Sequence, residues 1–266
     1  MKILFVGDIF GKSGRDVARR AIPVLVERRG IDFVIANVEN SAAGFGVTGD
    51  VAETILSYGV DVMTSGNHVW DKKEVLEYIP RQPKLLRPAN FPAGVPGRGT
   101  YLGRTRTGQT IGVINLMGRV FMTPLDDPFA AASREIEALR AKTRIIFVDF
   151  HAEATSEKVA MGWHLDGRVT AVVGTHTHVQ TADERILPKG TAYQTDVGMT
   201  GPHDSIIGVT IDAALGRFLN AMPARFEAAT GPGRLNAVEI TADAASGKAS
   251  RIERLNMSAE ELDTAE

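Results

Sequence analysis

The sequence of 266 residues contains no cysteine. This absence excludes disulfide bonds, zinc–thiolate sites, iron–sulfur clusters and cysteine nucleophiles. Any bound metal ion must therefore be held by nitrogen and oxygen ligands.

Long hydrophobic runs are also missing. No stretch approaches the roughly 18 apolar residues that a membrane-spanning helix needs. The apolar run at the N-terminus is interrupted by Gly7 and Asp8, which is too early for a signal peptide. We therefore predict a cytoplasmic protein that does not enter a membrane.

The sequence has no excess of charge of either sign, because 30 Lys and Arg stand against 32 Asp and Glu, a formal net charge of −2. This balance argues against a stable complex with nucleic acid through phosphate contacts. Hydrophobic residues make up 44% of the chain and charged residues 23%, which is ordinary for a globular protein with a large core. We expect one domain over residues 1–266.

Short apolar runs alternate with amphipathic segments, a pattern typical of a parallel sheet covered by helices and therefore of the α/β class. Strands are predicted at Ile3–Val6, Ile31–Ala36, Val60–Thr64, Gln109–Leu116, Arg144–Phe150, Val169–Thr175, Ile206–Ile211 and Leu235–Thr241. Helices are predicted at Arg15–Arg29, from Thr48 or Asp50 to Leu56, and at Asp71–Ile79, Asp127–Lys142 and Ser156–Trp163. Residues 80–108, rich in Pro, Gly and Arg, are interpreted as an excursion, and the acidic tail Met257–Glu266 as frayed.

Side chains that can bind metal follow five of the predicted strands. They are Asp8, Glu39 with Asn40, Asn67 with His68, His151, and His176 with His178. Ligands of open α/β sheets bind beyond the carboxyl ends of the strands, so we expect these side chains to converge. Even without His68, three imidazoles, two carboxylates and two carboxamides exceed the needs of one ion, which predicts two ions bridged by Glu39. The mixture suits iron, manganese or zinc better than magnesium or calcium.

Taken singly, these residues have ordinary structural explanations. Asp8 could cap a turn or a helix, and His151 could be a structural histidine. Glu153 could orient a metal ligand or cap a helix. His203, which follows the loop Thr195–Pro202, is a weak candidate for a substrate contact. The combination of residues, rather than any one of them, indicates the metal site.

Several sequence blocks carry a resemblance to a known family. Gly7-Asp8, Gly66-Asn67-His68 and Gly174–His178, in this order, resemble the calcineurin-like metallophosphoesterase superfamily. The blocks GDIFGKSGR, ANVENSAAGFG, SGNHVWD, DFHAEATSEK, GTHTHVQTAD and TDVGMTGP are similar to its YmdB-like phosphodiesterase branch, from Met1 to about Asp212. Phe10 and Glu39 depart from the wider superfamily, where histidine and aspartate are usual, and both departures fit the branch.

The resemblance implies a four-layer α/β/β/α metallophosphoesterase sandwich. It implies that one ion is held by Asp8, Glu39, Asn40 and His178, and the other by Glu39, Asn67, His151 and His176. It also implies a homo-oligomer that hydrolyses small phosphodiesters, such as 2′,3′- and 3′,5′-cyclic AMP, by attack of a metal-bound hydroxide. His68 would protonate the leaving group, since imidazole titrates near neutral pH.

Two alternative functions stay open. A phosphomonoesterase or nucleotidase could use the same metal site. A regulatory protein could instead bind a nucleotide with little turnover.

Overall fold

The computed structural model describes residues 1–264. In chain order its strands are β1 (Lys2–Val6), β2 (Asp8–Ile9), β3 (Phe33–Asn37), β4 (Val62–Thr64), β5 (Thr100–Arg104), β6 (Thr110–Met117), β7 (Ile145–His151), β8 (Ala171–Thr175), β9 (Arg185–Ile186), β10 (Ala192–Gln194), β11 (Met199–Pro202), β12 (Gly233–Ala242) and β13 (Ala249–Ser258). Its helices are α1 (Gly11–Arg29), α2 (Gly49–Ser57), α3 (Val75–Tyr78), α4 (Pro128–Arg140), α5 (Thr155–Leu165), α6 (Ile211–Asn220) and α7 (Ala259–Thr264). Across residues 1–264, no helix combines the length and the apolar character needed to cross a membrane.

The strands form two sheets. In the first sheet the order is β2-β11-β12-β1-β3-β4, with β13 paired to β12. In the second sheet the order is β5-β6-β7-β8-β10-β9. Strands β1, β3 and β4 run parallel, as do β6, β7, β8 and β10, so the carboxyl ends of the central strands of each sheet share one edge.

The two sheets pack face to face with helices outside. Ile3 and Phe5 of β1 belong to the apolar core between the sheets, where Phe5 stacks on Phe147 of β7 with ring centroids 5.2 Å apart. The alternate residues Leu4 and Val6 face the outer core that packs on α1 and α2. On the far side, α4 and α5 cover the second sheet. The predicted α/β class and four-layer sandwich are confirmed.

The prediction of a strand at Ile206–Ile211 is wrong. Ile206 and Val209 form an isolated bridge around Ile207 (φ 47°) and Gly208 (φ 101°), and α6 begins at Ile211. Two successive residues with positive φ cannot continue an extended strand, so the chain turns here. The predicted helix at Asp71–Ile79 is also shorter than expected, since only Val75–Tyr78 is α-helical.

The C-terminal tail differs from the expected frayed segment. Met257 and Ser258 end β13, and α7 follows at Ala259–Thr264. Leu262 is 2% exposed and belongs to the core beneath α1, which gives this short helix an apolar anchor. Residues 265 and 266 of the predicted tail lie outside the described residues, and the single-domain interpretation stays a prediction.

Candidate active site

The fold brings all seven predicted metal ligands to one edge of the two sheets. Asp8 lies in β2, Glu39 and Asn40 follow β3, and Asn67 follows β4. From the second sheet, His151 ends β7, while His176 and His178 follow β8. A continuous chain of contacts links the seven residues, with Asp8 joined through the His176 backbone, although their role as ligands stays a prediction.

The centre of this cluster is the Nε2 atom of the buried His151. It lies 3.0 Å from Glu39 Oε1, 2.9 Å from Asn67 Oδ1 and 3.0 Å from His176 Nδ1. A ring nitrogen carries either one proton or one lone pair and can satisfy only one of these neighbours. Ligand atoms of Glu39, His151 and His176 all lie within 4.8 Å of one another. Such convergence of nitrogen and oxygen atoms fits a metal ion.

Asp8, Asn40 and His178 form the second half of the cluster. Asp8 is fully buried, its Oδ2 accepts the backbone N–H of His176 at 3.2 Å, and its Oδ1 has no hydrogen-bond partner. Burial raises the pKa of Asp8, although nearby His178 and His151 oppose the rise. His178 Nδ1 donates to the Ile207 carbonyl at 2.8 Å, so in the neutral ring Nε2 keeps its lone pair. Asn40 Nδ2 lies 3.1 Å from this lone pair. An orphaned carboxylate oxygen beside an imidazole lone pair and a carboxamide also fits a metal ion.

Glu39 and His151 shift each other's pKa values. Burial favours the neutral form of Glu39, but the charge of His151 and their hydrogen bond lower the pKa of Glu39 to about 2. Burial likewise works against the charged form of His151, but Glu39 raises the pKa of His151 to about 9. Burial and the neighbouring His151 charge together lower the pKa of His176 to about 3. Metal binding would displace the proton from His151, because only the neutral ring is a ligand.

A buried hydrogen-bond chain orients His151 from behind. The Thr175 hydroxyl donates to Asp149 Oδ1 at 2.8 Å and therefore accepts from His151 Nδ1 at 2.9 Å. Asp149 Oδ2 accepts from Thr64 Oγ1 at 2.5 Å and from Asn37 Nδ2 at 3.2 Å, which links the two sheets. When the neutral His151 ring carries its proton on Nδ1, the Nε2 lone pair is left for a metal ion. Sequence analysis missed Asp149, although an aspartate inside an apolar strand was a visible signal.

The loop that carries His176 and His178 is held in an unusual backbone conformation. His176 has a φ of 106° and His178 a φ of 65°, values that non-glycine residues rarely adopt. Between them, Thr177 donates from its backbone N and its Oγ1 to Asp196 Oδ2, at 3.1 and 2.8 Å. The same oxygen accepts from Lys158 Nζ at 2.6 Å, in an ion pair that is 1% exposed on each side. This buried pair therefore anchors the loop.

His68 stands beside the cluster rather than inside it. Its backbone N–H donates to Glu39 Oε2 at 3.0 Å, and its Nδ1 lies 2.8 Å from Asp71 Oδ2. The imidazole is 30% exposed and meets the ring of Phe45 edge-on, with centroids 5.3 Å apart. The side chain is thus placed where it can reach a bound molecule.

The structure also shows the contacts of Glu153 and His203, for which the sequence left two interpretations or a weak one. Glu153 Oε2 lies 3.0 Å from His176 Nε2, and α5 has Ala154 rather than Glu153 at its N-cap, which favours the orienting interpretation. His203 Nε2 donates to the Met199 carbonyl at 2.9 Å. His203 does not line the cavity that contains His68, so the structure gives no support to a substrate contact there.

A cavity of about 720 Å³ opens over the cluster. Its polar end is lined by Glu39, Asn40, His68, His176 and His178. Its other end is largely apolar and includes Phe10, Phe45, Val209, Phe218 and Phe226. This volume lies within the range of about 300–1,000 Å³ found for small-molecule sites.

Gly66 provides a test of the packing around His151. A methyl group at this position would overlap Cδ2 and Nε2 of the imidazole. We expect Gly66→Ala to displace His151 and to lower bound metal by at least about tenfold, measured by elemental analysis. The control is Gly216→Ala in α6, where the added methyl meets no atom within 4 Å. Equal metal content in both variants would contradict the expectation.

Comparisons with known proteins place the chain in a family. The family model described as YmdB-like protein matches residues 4–255. The chain is 51% identical over 96% of its length to a 2′,3′-cyclic-nucleotide 2′-phosphodiesterase of Bacillus subtilis, and covers 96% of that protein. It is 35% identical to a putative phosphatase/phosphodiesterase of Mycoplasma genitalium, with 97% of this chain and 93% of the relative covered.

Two solved structures match the fold over nearly the whole chain. A hypothetical protein from Thermus thermophilus matches with a TM-score of 0.91 and 42% identity, over 97% of this chain and 99% of that one. A structure described as a novel phosphatase from Mycoplasma pneumoniae matches with a TM-score of 0.91 and 34% identity, over 97% and 93% of the two chains. The protein therefore belongs to the YmdB-like family.

Proposed function

We propose that this protein is a metal-dependent phosphodiesterase that hydrolyses small phosphodiesters such as 2′,3′- and 3′,5′-cyclic AMP. The coarser assignment, a phosphoesterase, follows from the family and from the relatives named as phosphodiesterases and phosphatases. The observation that carries the finer proposal is the convergence of Glu39, Asn67 and His176 on one nitrogen of His151, at the polar end of a cavity with room for a nucleotide.

We propose two metal ions at this edge. Asp8, Glu39, Asn40 and His178 would hold one, and Glu39, Asn67, His151 and His176 the other. The unpartnered Asp8 Oδ1 and the crowding at His151 Nε2 support two separate centres. When bound, iron, manganese or zinc would supply Lewis-acid stabilisation of the phosphoryl oxygens. Of these metals we propose iron first.

We propose His68 as the residue that transfers a proton to the leaving group. Asp71 accepts from Nδ1 and fixes the ring, so that in the doubly protonated ring Nε2 carries the proton that can be donated to a leaving alkoxide. The hydrogen bond from the His68 backbone to Glu39 sets the distance between ring and cluster. These contacts support His68 as the general acid.

The first test is the metal content of the purified protein, paired with hydrolysis of 2′,3′-cyclic AMP, 3′,5′-cyclic AMP and bis(p-nitrophenyl) phosphate. We expect two equivalents of metal and turnover that chelation abolishes. Near-zero metal, with no turnover restored by Mn²⁺ or Fe²⁺, would overturn the enzyme proposal. That result would favour a regulatory nucleotide-binding protein.

The role of His68 gives a separate prediction. We expect His68→Ala to lower kcat for 2′,3′-cyclic AMP by about 100-fold, which is a usual effect of losing a general acid. Metal content should be unchanged, because His68 is not among the proposed ligands. His164→Ala is the control, since His164 lies on α5, bonded to Ser133 and away from the cavity. Unchanged turnover in His68→Ala would remove this residue from the mechanism.

A phosphomonoesterase is the second candidate function, and the match to a structure described as a phosphatase favours it. Comparing p-nitrophenyl phosphate with bis(p-nitrophenyl) phosphate separates the two. We expect the diester to be hydrolysed with the higher kcat/KM. The homo-oligomer implied by the resemblance is also a proposal, which light scattering would test.

A further inference from the structure

The apolar end of the cavity has no part in metal binding or proton transfer. Phe218, on α6, lines this end and is 80% exposed. An exposed aromatic ring on the wall of a cavity offers a flat apolar surface to whatever enters. This ring therefore needs an explanation that the metal site does not supply.

We propose that Phe218 stacks on the base of a bound cyclic nucleotide and forms a base subsite. This inference rests on the proposed phosphodiesterase function. It assigns the two ends of one cavity to the two chemically different ends of the substrate. The anionic phosphate meets the nitrogen and oxygen cluster, and the base meets the aromatic wall.

The dimensions and composition of the cavity support this division. A volume of about 720 Å³ exceeds what a cyclic phosphate alone requires and leaves room for a nucleoside. Phe10 links the two ends, because its ring meets that of His178 with centroids 5.5 Å apart and also packs in one apolar cluster with Val209 and Phe226. At the apolar end, the Arg217 guanidinium lies 5.2 Å from the ring centroid of Phe226 and adds a positive charge to the wall.

The chemistry of this end predicts little selectivity between bases. Within residues 1–264, the side chains that line it beside Phe218 are mostly apolar, and Arg217 is the member with several N–H donors. Stacking on an aromatic ring tolerates every base, because each base has a π-face. Adenine and guanine should therefore be accepted with similar kcat/KM.

Leu219 provides a matched control on the same helix. It is 78% exposed, nearly as much as Phe218, but it does not line the cavity. If α6 instead packed against a second copy of this chain, removing either apolar side chain could disturb activity. A base subsite predicts that only Phe218 matters.

The experiment compares 2′,3′-cyclic AMP with methyl riboside 2,3-cyclic phosphate, which lacks the base. In Phe218→Ala we expect KM for 2′,3′-cyclic AMP to rise about five- to tenfold, as loss of a base–aromatic stack predicts. The kcat for this substrate, and both constants for the base-free substrate, should stay within about twofold. Phe218→Trp should keep the wild-type KM, and Leu219→Ala should change neither substrate.

Three results would overturn the base subsite. They are an equal effect of Phe218→Ala on both substrates, no effect on either, and the same increase in KM from Leu219→Ala. If the metal-loaded wild type hydrolyses neither substrate, the phosphodiesterase proposal itself fails, and the subsite fails with it.

Discussion

Glu39→Gln should lower phosphodiester turnover by about 1,000-fold or more and release bound metal. Removing a residue that only hydrogen-bonds to a metal ligand commonly lowers metal affinity or activity by about 10–100-fold. A larger loss is expected for Glu39, because it is proposed to bind both ions directly. The substitution keeps the size of the side chain and removes its negative charge. The loss should therefore report on charge and coordination rather than on packing.

The surroundings of Glu39 explain why so large an effect is expected. The side chain is fully buried, its Oε1 lies 3.0 Å from His151 Nε2, and its Oε2 accepts from the His68 backbone at 3.0 Å. One carboxylate thus joins the cluster of proposed metal ligands to the proposed general acid. A neutral amide would weaken both contacts.

Metal analysis and kinetics on the same sample measure this effect. Glu135→Gln in α4, in the outer helical layer, is the control and should keep wild-type metal content and turnover. Circular dichroism should show that Glu39→Gln remains folded. A folded Glu39→Gln protein that keeps two metal equivalents and full turnover would exclude Glu39 as a bridging ligand.

Lys158→Met should lower the free energy of unfolding by about 3–5 kcal/mol, because it leaves the Asp196 carboxylate buried without a counter-charge. Both members of the pair are 1% exposed. The same carboxylate anchors Thr177 between His176 and His178. We therefore expect weaker metal binding as well as lower stability, measured by urea denaturation and metal titration.

The exposed pair Lys12–Asp16 in α1 is the matched control. Its N–O distance is 3.1 Å, but the side chains are 82% and 52% exposed, so Lys12→Met should cost less than about 0.5 kcal/mol. The double variant Lys158→Met/Asp196→Asn should recover much of the lost stability, because no unpaired charge stays buried. A loss below about 1 kcal/mol in Lys158→Met would show that water reaches Asp196.

The sequence predicted the central strands and their relation to the site well. Continuous apolar runs such as Ile3–Val6 and Ile145–Val148 are typical of strands buried on both faces, and they form the centres of the two sheets. Because polar residues directly after such strands fall at a common edge, Glu39, His151 and His176 could be placed together before any coordinates.

Other elements could not be predicted because contacts in space, rather than local apolar runs, stabilise them. Strand β13 is stabilised by pairing with β12, and α7 by burying Leu262 beneath α1. The short strand β11 pairs with both β2 and β12. At Ile206–Ile211 the apolar residues favour a strand, but the backbone turns at Ile207 and Gly208, where the Ile207 carbonyl accepts from His178.

The sequence by itself determined the fold class and the set of donors, because both depend on local runs and on residue type. The tertiary structure alone decided how those donors are oriented and what surrounds them. Asp149 and Asp196 lie far along the chain from Asn37 and Glu39. Asp149 nevertheless orients the His151 ring through Thr175, and Asp196 anchors the loop that carries His176 and His178. Hydrogen bonds and ion pairs of this kind depend on distances in space, which no local pattern of residues encodes.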